Sequence, residues 1–124
     1  MLPKPYKNAI IYEDKKLYDC LANEPIVKGH TVIVWKKKVS DLHLLPRKDY
    51  EYLMDRVNKI RNAMLKALKV EKVYLVYMDE AKQVHWHLVP RYDVEGYKNF
   101  MQTPGTITDF SLDDKIRDCL VVKI

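Results

Sequence analysis

Two of the four histidines in this 124-residue chain, His85 and His87, are separated by a single residue within an apolar and aromatic run. β-branched and aromatic residues favour a strand, along which side chains alternate between two faces. We therefore expect both imidazoles to share one face with Gln83, while Trp86 takes the opposite, core face. Two imidazoles whose Cα atoms lie roughly 6 to 7 Å apart can together engage one anionic group or one metal ion.

The spacing alone leaves three interpretations of the histidine pair open. The first is a half-exposed strand that carries two incidental histidines. The second is metal ligation, because neutral imidazole is the commonest metal ligand in proteins. The third is nucleophilic catalysis, in which an imidazole nitrogen attacks phosphorus and a neighbouring donor stabilises the developing charge. An imidazole with a pKa of about 6.5 is largely neutral at pH 7 and needs no further activation for such an attack.

Length and composition restrict the class of protein. A chain of this length fits one domain, and we find no internal boundary, so residues 1–124 are predicted to form a single domain. No apolar run approaches the roughly 20 residues that span a bilayer, and the N-terminus lacks the apolar core of a signal peptide, so we expect a cytoplasmic protein without a membrane partner. Cys20 and Cys119 have no metal or disulfide spacing and are expected to be buried thiols.

Apolar periodicity predicts the elements that must position the histidines. Strand patterns besides the histidine strand lie at residues 8–13, 17–22, 31–35 and 73–78. Apolar residues spaced three and four apart predict a long helix from about Pro46 to Lys69, and Ser111 is expected to cap a short last helix. Gly29 indicates a positive φ or a close backbone approach just before His30 opens the third strand.

Two motifs together resemble a known family. They are Pro25-x-x-x-Gly29-His30 and Gln83-x-His85-x-His87-x-x-Pro90-Arg91. With an apolar strand and a long helix between them, they resemble the histidine triad (HIT) superfamily of nucleotide hydrolases and transferases, over about residues 8–92. The resemblance is specific because both motifs and the intervening elements must occur in this order.

The resemblance implies an α+β fold, with an antiparallel sheet of about five strands, one long helix and a short C-terminal helix, and it implies a homodimer. It also implies cleavage of a nucleotide at the α-phosphorus through a nucleotidyl-histidine intermediate. His85 matches the nucleophile, His87 matches the residue that donates to the α-phosphate, and His30 matches the histidine that orients this pair.

Two departures from the family pattern concern substrate binding. The first triad position is Gln83, which resembles a subgroup with Gln-x-His-x-His and would line the phosphate site with an amide that cannot titrate. The glycine-rich segment before the triad is shortened to residues 78–82. We assign further substrate contacts to Asn23, which neighbours the family's ribose-binding position, to Ile11 in the nucleoside pocket and to Arg91 as an attractor of phosphate.

The expected function is that of a HIT-like nucleotide phosphohydrolase or nucleotidyl transferase, with a dinucleoside polyphosphate or a nucleotide phosphoramidate as substrate. We expect no metal ligands and no cofactor, apart from Mg²⁺ carried by the nucleotide. The net charge of +5 favours an anionic partner without specifying a nucleic acid. The alternatives are a metallohydrolase that uses His85, His87 and His30 or His43, and a nucleotide-binding module without turnover.

Overall fold

The computed structural model describes residues 2–120, so Met1 and residues 121–124 of the predicted single domain lie outside the described residues. The strands and helices follow in chain order: β1 (Ile10–Glu13), β2 (Leu17–Leu21), β3 (Thr31–Trp35), α1 (Arg47–Leu68), β4 (Lys72–Tyr77), β5 (His85–Arg91) and α2 (Leu112–Leu120). Short 3₁₀ helices lie at Lys7–Ala9, Leu42–Leu44 and Gly96–Met101. Within these residues the predicted α+β fold, with one long and one short α-helix, is confirmed.

The five strands form one antiparallel sheet in the order β1-β2-β3-β5-β4. The register aligns Tyr18 with Val34 and Val34 with His85 across the three central strands. A second row joins Cys20 through Val32 to His87. Neighbouring strands lie about 4.8 Å apart, so these rows place the histidines roughly 10 Å from the β2 side chains on the same face.

The apolar stripe of α1 packs on the opposite face of the sheet. Leu53, Val57, Ile60 and Met64 are fully buried there, together with strand residues such as Leu17, Ile33 and Leu88. Trp86 packs against this cluster, as the alternation along the histidine strand predicted. One sheet face therefore forms the core, and the other carries the two histidines of β5.

The histidine strand begins two residues later than the sequence pattern indicated. Gln83 lies in a bend that follows Lys82, whose φ of 55° is left-handed. The backbone of Val84 instead donates to the carbonyl of Val39 and accepts from the N–H of Trp35. Because the N–H and the carbonyl of Val84 are both occupied by these bonds, Val84 does not extend the regular β5 ladder, which begins at His85.

The chain after β5 contains a further short element, although Gly96, Pro104 and Gly105 are residues typical of a loop. Residues 96–101 form a 3₁₀ helix, Asn99 in it is buried, and the ring of Phe100 meets the ring of Tyr74 at 5.5 Å. The sequence pattern shows no periodicity there because six residues, about two turns of 3₁₀ helix, are fewer than the window that reveals one. Within residues 2–120, no helix combines the length and the apolar character required to cross a membrane.

Candidate active site

A cavity of about 430 Å³ lies on the sheet face opposite α1. We call it the histidine cavity. Its floor comes from three strands, its sides from the segment between β2 and β3, and the rest of its wall from the N-terminal segment and the loop before α2. The lining residues are Tyr18, Cys20, Val32, Val34, His85 and His87 of the sheet, Ala22, Asn23, Glu24 and His30 of the side, Leu2, Pro3, Pro5 and Tyr6 of the N-terminal segment, and Thr106 of the loop.

Gly29 brings His30 to this cavity from a different part of the chain. Its φ is 87°, and a Cβ atom at this position would lie 2.8 Å from a methyl group of Leu68. The positive φ, one of the two alternatives predicted for Gly29, is therefore present, and the Leu68 side chain leaves little space for a Cβ atom. The His30 carbonyl accepts a hydrogen bond from the Ala22 N–H at 2.8 Å, which holds the start of β3 beside the end of β2.

The hydrogen bonds of His30 decide which of its nitrogens carries the proton. The backbone N–H of Ile26, which can only donate, lies 3.0 Å from Nδ1 of His30. A neutral His30 ring therefore has its proton on Nε2, and it donates this proton to Nδ1 of His87 at 2.9 Å. A neutral His87 in turn keeps its own proton on Nε2. His87 thus has an N–H donor for the cavity.

Both rings of this pair are held in the neutral form. Burial, with a smaller effect of the neighbouring His87, lowers the pKa of His30 to about 3. Burial, with a smaller effect of His85, lowers the pKa of His87 to about 4. The cause is the loss of hydration, which disfavours the charged form of an imidazole. At neutral pH the directional chain from Ile26 through His30 to His87 is therefore maintained.

The two ring nitrogens of His85 have the opposite roles to those of His87. Its Nδ1 lies 2.7 Å from the backbone carbonyl of Gln83, which can only accept, so Nδ1 of His85 carries the proton. The neutral ring then has a free electron pair on Nε2. The ring centroids of His85 and His87 lie 5.1 Å apart. One imidazole can act as a nucleophile and its neighbour as a hydrogen-bond donor, which is the combination that attack on phosphorus requires.

Gln83 is close to this pair but is not among the residues that line the cavity. Its side-chain amide nitrogen donates to the backbone carbonyl of Trp35 at 2.9 Å, across the gap between the end of β3 and the start of β5. The same residue supplies the carbonyl that orients His85. The Gln83 side chain therefore braces two strands through its amide nitrogen, and its contact with phosphate stays a prediction.

Three other residues named from the sequence lie away from the cavity. Ile11 is 2% exposed and belongs to the core, because its strand turns that side chain toward the helices. Arg91, at the far end of β5, forms ion pairs with Glu71 and Glu95 at 3.5 and 3.4 Å. His43 is exposed and pairs with Asp41, so the structure does not bring it to the other histidines.

Asn23 does line the cavity, but its amide is engaged with the protein itself. Its Nδ2 donates to the carbonyl of Lys4 at 3.0 Å. Asn23 therefore contacts the N-terminal segment that forms part of the cavity wall. The sequence position next to the family's ribose-binding residue gave no indication of this partner.

The sequence interpretation missed Tyr18 and Cys20 on the cavity floor. The signal was present, because alternation along β2 places both opposite the buried Leu17 and Leu21. Burial raises the pKa of the Cys20 thiol to about 12, so it remains protonated at neutral pH. Thr106 was missed as well, and no local pattern in the loop around it points to the cavity.

Few side chains in this arrangement are free to act as metal ligands. Among residues 2–120, no group of three or more His, Cys, Asp and Glu side chains is placed to hold one. His30 uses Nδ1 as an acceptor and Nε2 as a donor, so its neutral ring has no electron pair left for a ligand bond.

Comparison with known proteins gives a consistent result over most of the chain. The pattern of the HIT domain matches residues 4–94. An uncharacterized HIT-like protein of Methanocaldococcus jannaschii is 26% identical over 115 residues, which cover 88% of this chain and 86% of that protein.

Several solved structures share the fold. A Hit-like protein involved in cell-cycle regulation from Bartonella henselae has a TM-score of 0.74 at 23% identity and covers 90% of this chain and 86% of its own. A Zn-bound histidine triad family protein from Mycobacterium smegmatis has a TM-score of 0.72 at 24% identity, with coverage of 90% and 82%. A histidine triad protein from Marinobacter aquaeolei has a TM-score of 0.75 at 18% identity, with coverage of 90% and 87%. These likenesses show that the sheet and helix arrangement is shared.

Proposed function

The chain belongs to the HIT domain family, and on this basis we propose that it is a nucleotide hydrolase or nucleotidyl transferase in which His85 attacks the α-phosphorus of the substrate. The observation that carries the proposal is the pair of complementary tautomers. The Gln83 carbonyl leaves Nε2 of His85 with a free electron pair, while His30 leaves Nε2 of His87 with a proton. Two rings fixed in this way differ in role although they are the same residue type.

In the first step, the Nε2 electron pair of His85 forms a bond to phosphorus, and the bond between phosphorus and the leaving group breaks. The leaving group departs with the electron pair of the broken bond and takes a proton from water. His87 donates its Nε2–H to a phosphate oxygen as negative charge develops there. The Gln83 carbonyl accepts from Nδ1 of His85 and stabilises the positive charge that the substituted ring acquires.

In the second step, water or another acceptor attacks phosphorus and the imidazole of His85 leaves with its electron pair. The attacking group loses a proton to solvent, and the neutral His85 tautomer is restored by its bond to the Gln83 carbonyl. Transfer to water gives a hydrolase, and transfer to another nucleophile gives a transferase. The same protein groups serve both outcomes.

We propose a dinucleoside polyphosphate or a nucleotide phosphoramidate as the substrate class. The support is the distribution of polarity in the histidine cavity, which has imidazoles on β5 and apolar or aromatic side chains on β2 and β3. Its volume of about 430 Å³ is within the range of small-molecule sites. We also propose that the chain belongs to the subgroup with Gln at the first triad position, because Gln83 stands at that position ahead of His85 and His87.

The test is to trap the covalent intermediate. Wild-type protein and His85→Asn are incubated with a nucleotide substrate labelled at the α-phosphate and quenched in mild base, which preserves a phosphoramidate bond. We expect label on the wild-type chain and none on His85→Asn, with turnover reduced on the order of 10³-fold or more.

The matched control is His43→Asn, because His43 is exposed and lies outside the cavity. This variant should label like wild type. Equal labelling of His85→Asn and wild type would refute the covalent mechanism. Nucleotide binding without labelling of either protein would favour a binding module without turnover.

A further inference from the structure

The N-terminal segment forms one wall of the histidine cavity. Four of the five residues from 2 to 6, namely Leu2, Pro3, Pro5 and Tyr6, line it. The floor beneath them includes Tyr18 and Cys20, and Cys20 is only 5% exposed. We call residues 2–6 the cover, since access to this part of the cavity depends on where the segment lies.

One side chain from the body of the protein holds the middle of the cover. Nδ2 of Asn23 donates to the carbonyl of Lys4 at 3.0 Å. These two residues are 19 positions apart in the chain, and Asn23 lies on the cavity side where the segment after β2 begins. A neutral amide donor meets a backbone acceptor in a partly exposed position, so the bond can open and close without leaving a buried polar group unpaired.

The cover is anchored by two contacts of Tyr6. At its C-terminal end, the carbonyl of Tyr6 accepts from the N–H of Ala9 at 3.0 Å, and Ala9 is fully buried. The Tyr6 ring also meets the ring of Phe110 edge to face, with centroids 5.9 Å apart. Phe110 lies in the turn that leads into α2, which packs on α1 and β1. The cover is thus joined to the core at Ala9 and to the C-terminal part of the chain at Phe110.

Two of the five cover residues are prolines, at positions 3 and 5. Each proline ring restricts φ to about −65°, so the segment has few alternative conformations. With few alternative conformations, the segment is expected to move as a unit about its end at Tyr6. A single hydrogen bond near its middle is therefore enough to bias its position over the cavity.

We infer that residues 2–6 act as a hinged cover of the histidine cavity and that Asn23 is the positioning residue that holds the cover closed through Lys4. The cover encloses the apolar part of the cavity, and the reacting histidines lie on β5, roughly 10 Å from the β2 side chains of the floor. Asn23 and Tyr6 therefore control how tightly a ligand is retained, while His85 and His87 control the chemistry. Only the link to nucleotide retention rests on the proposed function, since the cover itself is a feature of the fold.

The first experiment measures closure without any substrate. In a Cys119→Ser background, Cys20 is the only cysteine left in the sequence, and its rate of alkylation by iodoacetamide reports how often the cover opens. Asn23→Asp removes the donor and places a carboxylate next to the Lys4 carbonyl. We expect alkylation to become about three- to tenfold faster, as the loss of one partly exposed hydrogen bond allows.

Matched variants separate opening of the cover from general loosening. Asn58→Asp makes the same exchange on an exposed position of α1 and should leave the alkylation rate unchanged. Tyr6→Phe keeps the ring contact with Phe110 and should behave like the background protein, whereas Tyr6→Ala should react faster. Equal rates in Asn23→Asp and the background, or equal acceleration by Asn58→Asp, would overturn the proposal.

The second experiment tests whether closure of the cover affects nucleotide binding. Its outcome is independent of the alkylation result. With a nucleotide substrate, Asn23→Asp should raise KM about three- to tenfold, and the loss should fall mainly in KM, because the tautomers of the histidines do not depend on Asn23. A loss confined to kcat would overturn the role of Asn23 in retention. If Asn23→Asp speeds alkylation of Cys20 but the protein neither binds nor cleaves nucleotides, the cover proposal stands and the proposed function is refuted.

Discussion

Nε2 of His30 lies 2.9 Å from Nδ1 of His87, and the Ile26 N–H bound to the other nitrogen of His30 gives this contact a single direction. His30 donates and His87 accepts. The proton that His87 retains is on the nitrogen that is free to serve the cavity. His30 therefore acts through His87, as a positioning residue.

Replacing His30 with Ala should impair both folding and chemistry. The change leaves the Ile26 N–H without its acceptor and Nδ1 of His87 without its donor, so we expect the free energy of unfolding to fall by about 1–3 kcal/mol. Loss of the orienting contact should lower kcat by up to about 100-fold. Denaturant unfolding and steady-state kinetics measure the two effects, with His43→Ala as the exposed control. An unchanged kcat would show that His87 does not need this partner.

The same pair predicts how stability depends on pH. Burial lowers the pKa of His30 to about 3 and that of His87 to about 4, from an ordinary value of 6.5. Above pH 6.5 both rings are neutral whether the chain is folded or unfolded, so they add no pH dependence. Below it the unfolded chain binds protons that the folded chain does not, so stability falls as the pH is lowered toward 4.

We expect a loss of about 1–3 kcal/mol between pH 6.5 and 5, a range that allows for partial solvent screening of His87. Urea unfolding across this interval provides the measurement. His87→Asn should show a shallower slope than wild type. Identical slopes would indicate that these rings titrate normally in the folded protein.

Removing the Gln83 side chain should loosen the carbonyl that orients His85. Gln83→Ala loses the bond from the amide nitrogen to the Trp35 carbonyl, so we expect about 1 kcal/mol lower stability and a several-fold lower kcat. Gln83→His should retain most activity, because the attacking nitrogen belongs to His85.

Gln102→Ala removes a similar amide bond, made to Asn99, outside the histidine cavity. It should therefore leave kcat unchanged. Comparable losses of kcat in Gln83→Ala and Gln102→Ala would argue against a specific bracing role for Gln83.

Chelation distinguishes the covalent mechanism from a metal-dependent one. Because His30 uses both ring nitrogens in hydrogen bonds, we expect turnover to persist in a strong chelator once any Mg²⁺ required by the nucleotide is supplied. Elemental analysis of the purified protein accompanies the assay. About one tightly held zinc per chain, removed together with activity, would support the metallohydrolase alternative.

Asp19 should make stability fall as the pH rises, which is opposite to the effect of His30 and His87. Its carboxyl is fully buried on the core face of β2, and neither oxygen has a hydrogen-bond partner among residues 2–120. Burial raises its pKa well above the usual range, Arg56 opposes this shift, and Asp14 reinforces it. The contribution of the neutral Asp19 carboxyl to the free energy of unfolding is fully present below the ordinary pKa of about 4. It is lost as the pH rises toward the pKa of Asp19 in the folded chain.

In Asp19→Asn, the free energy of unfolding should therefore fall less as the pH rises, and at pH 7 it should exceed that of wild type by about 1–2 kcal/mol. Unfolding curves from pH 4 to 8 test this, with the exposed Asp118→Asn as the control. Parallel curves for wild type and Asp19→Asn would show that the carboxyl ionises in the folded protein without cost.

The sequence by itself determined the elements and the shared face of the β5 histidines. Period-two alternation and the three-and-four spacing of α1 are local properties, so the five strands, the long helix and the core position of Trp86 could be predicted from neighbouring residues. Alternation along the strand also placed His85 and His87 on one face. That they catalyse a reaction remains a prediction.

Only the tertiary structure decided what each polar side chain contacts. His30 meets His87 across 57 positions, Gln83 meets Trp35 across 48, and Asn23 meets Lys4 across 19. The same applies to the core position of Ile11, since a local pattern does not show which sheet face a neighbouring segment will cover. Tautomers, braces and the cover all arise from such distant contacts, because hydrogen-bond direction is set by the partner that folding supplies and not by the residue type alone.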